Sequence, residues 1–161
     1  MRTRMILLAA VALAAVAATA ACGHSAASQA DHKPAAAAAA PAKPAGIQVE
    51  QSSLGPILTD QNGRTLYAFT PDKNGASTCT GDCIATWPAL VSQQAVAAGT
   101  GTDKALLAQT TRVEGTAQAT YGDWPLYYYA GDQGPGDVDG QGVDGVWFVI
   151  GADGKLIKTN A

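Results

Sequence analysis

Two stretches of the chain repeat one another at an ungapped offset of 60 residues. Leu66-Tyr67-Ala68-Phe69-Thr70-Pro71-Asp72 recurs as Leu126-Tyr127-Tyr128-Tyr129-Ala130-Gly131-Asp132, Gly55 is matched by Gly115, and Trp87 by Trp147. Composition alone does not place three aromatic coincidences at one offset, so duplication is the better explanation. The fold is thereby constrained to two similar units, about residues 55–91 and 115–151, that share one core.

The units read as β-structure. Short runs rich in Thr, Tyr, Phe, Val and Ile, separated by Gly, Asn and Asp, predict strands over Gly55–Thr59, Arg64–Thr70, Thr116–Tyr121, Leu126–Ala130, Val146–Ile150 and Lys155–Thr159. Asp60-Gln61-Asn62-Gly63 and Gly151-Ala152-Asp153-Gly154 supply the positive backbone dihedral of tight hairpin turns. Cys83–Pro88 and Lys104–Thr111 are the stretches that could hold helix, one or two turns at most. Strand alternation puts Tyr127 and Tyr129 on one face and Tyr128 on the other. Tyr67, Phe69, Trp87, Tyr127, Tyr129 and Trp147 are expected to form the shared core, with Asp72 and Asp132 accepting hydrogen bonds that fix the loop after each.

Both copies match Tyr-x-(Phe/Trp/Tyr)-x-x-Asp, and the first is followed by Cys79-Thr80-Gly81-Asp82-Cys83 and Trp87-Pro88. In these residues the chain resembles the secreted-repeat lipoproteins of unknown function described by that Tyr/Asp motif. The resemblance covers essentially all of residues 46–161, including Gly136-Asp137, Gly140-Gln141-Gly142 and Trp147. It implies an exported location and leaves activity open.

The N-terminus carries Arg2 and Arg4, an apolar run from Met5 to Ala18, and then Thr19-Ala20-Ala21-Cys22-Gly23. Charged, apolar and cleavable regions in that order make an export signal over residues 1–21. The final five residues resemble the bacterial lipobox, whose cysteine becomes a lipid-linked N-terminus, although Thr19 stands where leucine is usual. Cys22 is the expected lipidation site, and two acyl chains suffice for stable anchoring. Residues 22–45 are Ala, Pro, Lys and Ser without periodicity and read as a disordered tether. It would span roughly 25 Å as a coil and about 70 Å extended, placing the domain at the extracytoplasmic face of the cell membrane.

Residues 46–161 hold six Lys or Arg against two Glu and ten Asp. That acidic balance opposes a nucleic-acid partner, because phosphate contacts need the opposite field. The same residues contain no His and no Met. The usual general base of Ser and Cys hydrolases and the His/Met ligands of zinc, haem and blue copper are therefore missing. An enzyme would have to rely on paired carboxylates, as glycosidases do, and a non-catalytic module is the expectation. Cys79 and Cys83 are the domain's only cysteines and, in an oxidising compartment, are expected to form a disulfide. A redox couple is the alternative.

The densest charged segment, Asp132 to Gly145, imitates the first half of a calcium loop: Asp137, Asp139 and Gln141 stand at its first, third and fifth positions and Gly142 at its sixth. Phe148 occupies the place of the closing Glu, which excludes an EF-hand. Asp132, Asp137, Asp139 and Asp144 remain candidate calcium ligands beside the plainer reading of Asp/Gly turn chemistry. Asp139 and Val143 fall at the positions of Cys79 and Cys83, so a cation could replace the staple in the second copy. Trp124 and Tyr128 are candidates for an exposed aromatic platform able to stack on wall sugars.

The sequence thus points to an all-β, two-repeat antiparallel domain, sandwich or barrel-like, over residues 46–161. It is expected to act as a binding or structural module of the cell envelope, with a cell-wall glycan or an envelope protein as partner. A calcium-dependent module, a carboxylate glycosidase and a redox lipoprotein are the alternatives. Replacing Cys22 by Ser should move the chain from the membrane fraction to the soluble fraction and abolish incorporation of labelled palmitate. A wild-type chain that takes up no label would show that Cys22 is not lipidated.

Overall fold

The computed structural model describes residues 45–72 and 74–159. The export signal, Cys22 and nearly all of the tether lie outside the described residues. The first hairpin pairs β1 (Gly46–Ser52) antiparallel with β2 (Gly55–Asp60), in register from Ile47 opposite Asp60 to Ser52 opposite Gly55. Gly55 takes φ 93° at the turn, and the Ser52 hydroxyl closes it by bonding to the Gly55 carbonyl. β3 (Tyr67–Phe69) pairs antiparallel with the last strand, β8 (Trp147–Val149). A two-residue β4 (Ala97–Ala98) adds to β1 in parallel. β5 (Leu107–Thr111), β6 (Ala117–Tyr121) and β7 (Trp124–Pro125) make a third antiparallel sheet.

The architecture is all-β and built on two repeats, with three small sheets and no closed barrel among the described residues. The β1–β2 hairpin has its counterpart in β5–β6, displaced along the chain by about the repeat offset. Between the copies, Tyr67 and Tyr127 exchange both backbone hydrogen bonds, Tyr67 N to Tyr127 O at 2.8 Å and the reverse at 2.9 Å. The two halves are therefore related as if by a two-fold axis passing between these tyrosines.

Several boundaries differ from the expectation. Arg64–Thr70 shortens to β3, with Thr65 bridging Thr59 separately. Leu126–Ala130 is no strand, because its donors go one by one to different neighbours: Leu126 to Ala119, Tyr127 to Tyr67, Tyr128 to Pro88 and Ala130 to Thr86. In Lys155–Thr159 only the single bridge of Leu156 to Ile150 forms. Lys104–Thr111 divides into a 3-10 turn over Lys104–Leu106, capped by the Asp103 carboxylate, and then β5. The first copy has its helix, α1 (Asp82–Thr86), and the second has a 3-10 turn at Val143–Gly145 in the matching place.

Two apolar clusters lie on opposite sides of the repeated segments. Leu66, Ala68 and Leu126 join Ile47, Leu58, Tyr121 and Ile150 on one side, with Tyr128 packed against them. Tyr67, Trp87, Tyr127 and Trp147 are buried on the other, flanked by Phe69 and Tyr129. On that second side four rings form one stack: Phe69 on Trp147 at 4.3 Å between centroids, Trp147 on Trp87 at 3.8 Å, and Trp87 against Tyr129 at 4.5 Å. Each Trp also meets its own copy's tyrosine edge-on, Tyr67 with Trp87 at 5.5 Å and Tyr127 with Trp147 at 5.2 Å. Such pairs add to the area they bury.

The phenol oxygens complete the exchange. Tyr67 donates to Asp132 Oδ2 at 2.9 Å and Tyr127 donates to Asp72 Oδ2 at 2.6 Å, so each tyrosine bonds the carboxylate of the other copy. Asp72 is 2 % exposed and its second oxygen takes Thr78 N and Thr78 Oγ1, whereas Asp132 is half-buried. Removing a donor from a sealed carboxylate leaves an unpaired acceptor, while a partly hydrated one recovers water. Tyr127→Phe should accordingly destabilise the domain by about 2–3 kcal/mol, and Tyr67→Phe, whose main loss is the acceptor of the buried Gly140 N–H at 3.2 Å, by about 1–2 kcal/mol, in denaturant unfolding. Equal losses would contradict this reading.

Candidate functional site

Thr70, Asp72 and Asn74 on one side and the Gly122–Asp123 turn with Trp124 on the other leave a cleft of about 370 Å³ between them. Asn74 and Asp123 hold φ of 54° and 67°, which among the described residues only Asp144 shares outside glycine. Asn and Asp enter the left-handed region more readily than other L residues, at a cost that the surroundings must offset. Gly122 touches Gly154: a Cβ on Gly122 would lie 2.7 Å from the Gly154 carbonyl oxygen, so that position admits no side chain. The Tyr121 hydroxyl, donating to Ala152 O at 2.8 Å, ties the two turns together.

One wall of the cleft is made rigid from inside. Asp72 ends a hydrogen-bonded chain in which Arg112 Nη1 donates to Ser77 Oγ at 2.7 Å, Ser77 and the Tyr127 hydroxyl lie 2.7 Å apart, and Tyr127 donates to Asp72. Arg112 is 4 % exposed, and it also reaches Gln118 Oε1, Cys79 O and Glu114. A buried guanidinium with all three nitrogens engaged is tolerated where an unpaired one would not be. The ion pair with Arg112 holds Glu114 below its ordinary pKa. Burial pushes the Tyr127 phenol well above its usual range, and its bond to Asp72 acts in the same direction.

Cys79 and Cys83 form the expected disulfide, with Cα atoms 5.4 Å apart, at the start of α1. The motif residues Tyr67, Phe69, Trp87, Tyr127, Tyr129 and Trp147 make the core, and Asp72 and Asp132 hold the loops that follow them. Tyr128 is not an exposed platform: it packs on the first cluster, donates to Asp60 Oδ2 and carries the Arg64 guanidinium 4.4 Å above its ring. Trp124 is half-buried, packs against the first cluster and lines the cleft.

The Asp-rich loop is arranged around its own backbone. Asp137 Oδ2 accepts from Gln133 N and Gly134 N, both at 2.8 Å, and Asp132 Oδ1 accepts from Asp139 N at 3.1 Å. Asp139 and Asp144 are exposed. Among the described residues no three His, Cys, Asp or Glu side chains converge as a metal site, so Asp132, Asp137, Asp139 and Asp144 are not brought together as a calcium ligand set. The sequence reading missed Arg112, Ser77, Asn74 and Asp123. Arg112 left a faint signal as a lone cation just after the Thr-rich end of β5, and the other three looked like ordinary turn residues.

A family model described as a secreted repeat of unknown function matches residues 48–91 and 109–150. No curated protein and no solved structure matches the chain.

Burial lifts the Asp132 carboxyl to about 6 against the pull of its bond from Tyr67. A carboxyl that holds its proton more tightly when folded contributes stability that is complete below its unfolded pKa, near 3.8, and is lost as pH rises through about 6. The difference in melting temperature between wild type and Asp132→Asn should therefore shift between pH 4 and 6. A pH-independent difference across that window would refute the raised pKa.

Proposed function

The chain belongs to the family of secreted repeats of unknown function, and from that membership we propose that it is a non-catalytic binding module of the cell envelope. It holds its ligand in the Trp124 cleft and is itself held at the membrane by a lipid on Cys22. The observation that carries this reading is the cleft itself. A half-buried indole, a carboxamide and a carboxylate converge in a concavity of ligand size, on turns that are fixed from behind.

Support for a non-catalytic role comes from the carboxylates. A glycosidase needs two of them facing one bond, with one kept protonated. In the cleft both Asp72 oxygens are already engaged, leaving Asp123 alone at the rim. Residues 46–161 contain no His, the side chain that most often transfers protons in catalysis. The calcium-dependent alternative has weaker support, because Asp132 and Asp137 are already occupied by backbone amides.

The full chain, kept in detergent so that its lipid makes no contribution, should sediment with a washed, lipid-free bacterial cell-wall fraction. Asp123→Gly, which suits the positive φ and removes the carboxylate, should melt no lower than wild type yet lose at least half of that retention. Val113→Ser, on an exposed turn away from the cleft, should be retained as wild type is. Retention that ignores the Asp123 change would remove the cleft from the binding reading.

A further inference from the structure

The duplication supplies an internal control for the cleft. Sixty residues earlier, Asn62-Gly63-Arg64 stands where Gly122-Asp123-Trp124 stands, and sixty residues later Ala130, Asp132 and Gly134 take the places of Thr70, Asp72 and Asn74. At that second position the chain fills its own concavity. Gly136 N donates to Gly63 O at 3.1 Å, Pro135 sits so close that a Cβ on Gly63 would lie 3.0 Å from it, and Thr65 Oγ1 bonds the Asp137 carbonyl. Arg64 replaces the tryptophan and turns its guanidinium onto Tyr128. One of the two equivalent places is thus closed by the Gln133–Asp137 loop, while at the other the described residues leave a cleft lined by an indole and two polar side chains.

Resting on the binding reading above, we infer that the open cleft is a carbohydrate subsite that takes a neutral, gluco-configured pyranose ring of a β-linked glycan. Such a ring has an apolar face of axial C–H bonds and an equatorial girdle of hydroxyls. Trp124 offers the surface that the first requires. Asn74 can donate and accept, Asp123 can accept from two hydroxyls, and Thr70 can do either, which answers the second. A volume of about 370 Å³ fits a ligand of one or two rings. The acidic balance of the domain disfavours a polyanionic chain. The larger groove beside Val91, of about 480 Å³, has no aromatic ring and only Ser92, Gln93 and Thr116 as polar side chains, so it lacks the stacking half of this chemistry.

The test titrates cellotriose and tri-N-acetylchitotriose, with trigalacturonate as the anionic counterpart, into the full chain in a non-glycosidic detergent. Tryptophan emission and the Trp124 indole N–H resonance are followed. Trp87 and Trp147 are sealed in the stack, so a response confined to one indole identifies Trp124. At least one neutral trisaccharide should shift that resonance, and Asp123→Gly and Trp124→Ala should each weaken binding about tenfold or more, the loss of one charge-assisted hydrogen bond or one stacking face. Because Trp124→Ala also removes packing from the core side, Asp123→Gly is the deciding variant. Binding of trigalacturonate in place of both neutral sugars overturns the neutral-ring assignment. Silence with all three, while cell-wall retention still depends on Asp123, makes the ligand something other than a glycan and leaves the binding reading standing. Silence together with Asp123-independent retention ends both.

Discussion

The exchange of Tyr–Asp hydrogen bonds across the centre of the domain is the constraint on which the rest of the structure depends. Tyr67 reaches Asp132 and Tyr127 reaches Asp72, so neither tyrosine finds its carboxylate within its own copy. A buried phenol without a partner costs more than a typical hydrogen bond returns. Each repeat folded alone would leave its phenol without that acceptor and its carboxylate with donors from its own loop only. The mutual backbone pair between Tyr67 and Tyr127 then fixes the register within one residue, because a slip would carry both side chains to the opposite face. From this centre the aromatic stack follows: with the tyrosines placed, Trp87 and Trp147 lie face to face at 3.8 Å, and Phe69 and Tyr129 cover the two ends.

The clustering of the core on two sides of the repeated segments has the same origin. Extended backbone sends alternate residues to opposite faces. Leu66 and Ala68 therefore enter one cluster, and Tyr67 and Phe69 the other. No long ladder is needed to hold such segments in place. Residues 126–130 are sewn to four different neighbours, which fixes the segment as firmly as a strand while giving it no strand partner.

What was legible in the sequence was whatever the duplication wrote twice. Tyr67 with Tyr127, Trp87 with Trp147 and Asp72 with Asp132 were readable as a shared core with loop-fixing carboxylates, since coincidence at one offset separates structural need from composition. β1 went unread although Ile47 and Val49 alternate with Gln48 and Glu50, because four such residues beside an Ala/Pro tether make a short signal. β5 was hidden for a different reason: Leu107 and Ala108 have helix propensity, and the tertiary pairing with β6 overrode it. The cleft was legible only as Trp124. Asn74 and Asp123 are distant in sequence, and each looks like an ordinary turn residue until folding sets the two turns side by side.

The two halves share their centre and differ at their edges, and the differences gather beside the open cleft in a pattern that a binding role explains. Arg112, whose repeat counterpart is Ser52, anchors Ser77 and the Cys79 carbonyl, and the Cys79–Cys83 disulfide closes the same segment. That segment continues directly from Thr70, Asp72 and Asn74, the wall of the open cleft. At the equivalent place, which the Gln133–Asp137 loop fills, there is neither a disulfide nor a buried arginine, and Asp132 is half-buried. Had the staple and the arginine served stability alone, either place could have held them, since the core is symmetric. Their placement beside the concavity suits preorganisation: a wall held rigid before the ligand arrives does not lose conformational freedom when it binds.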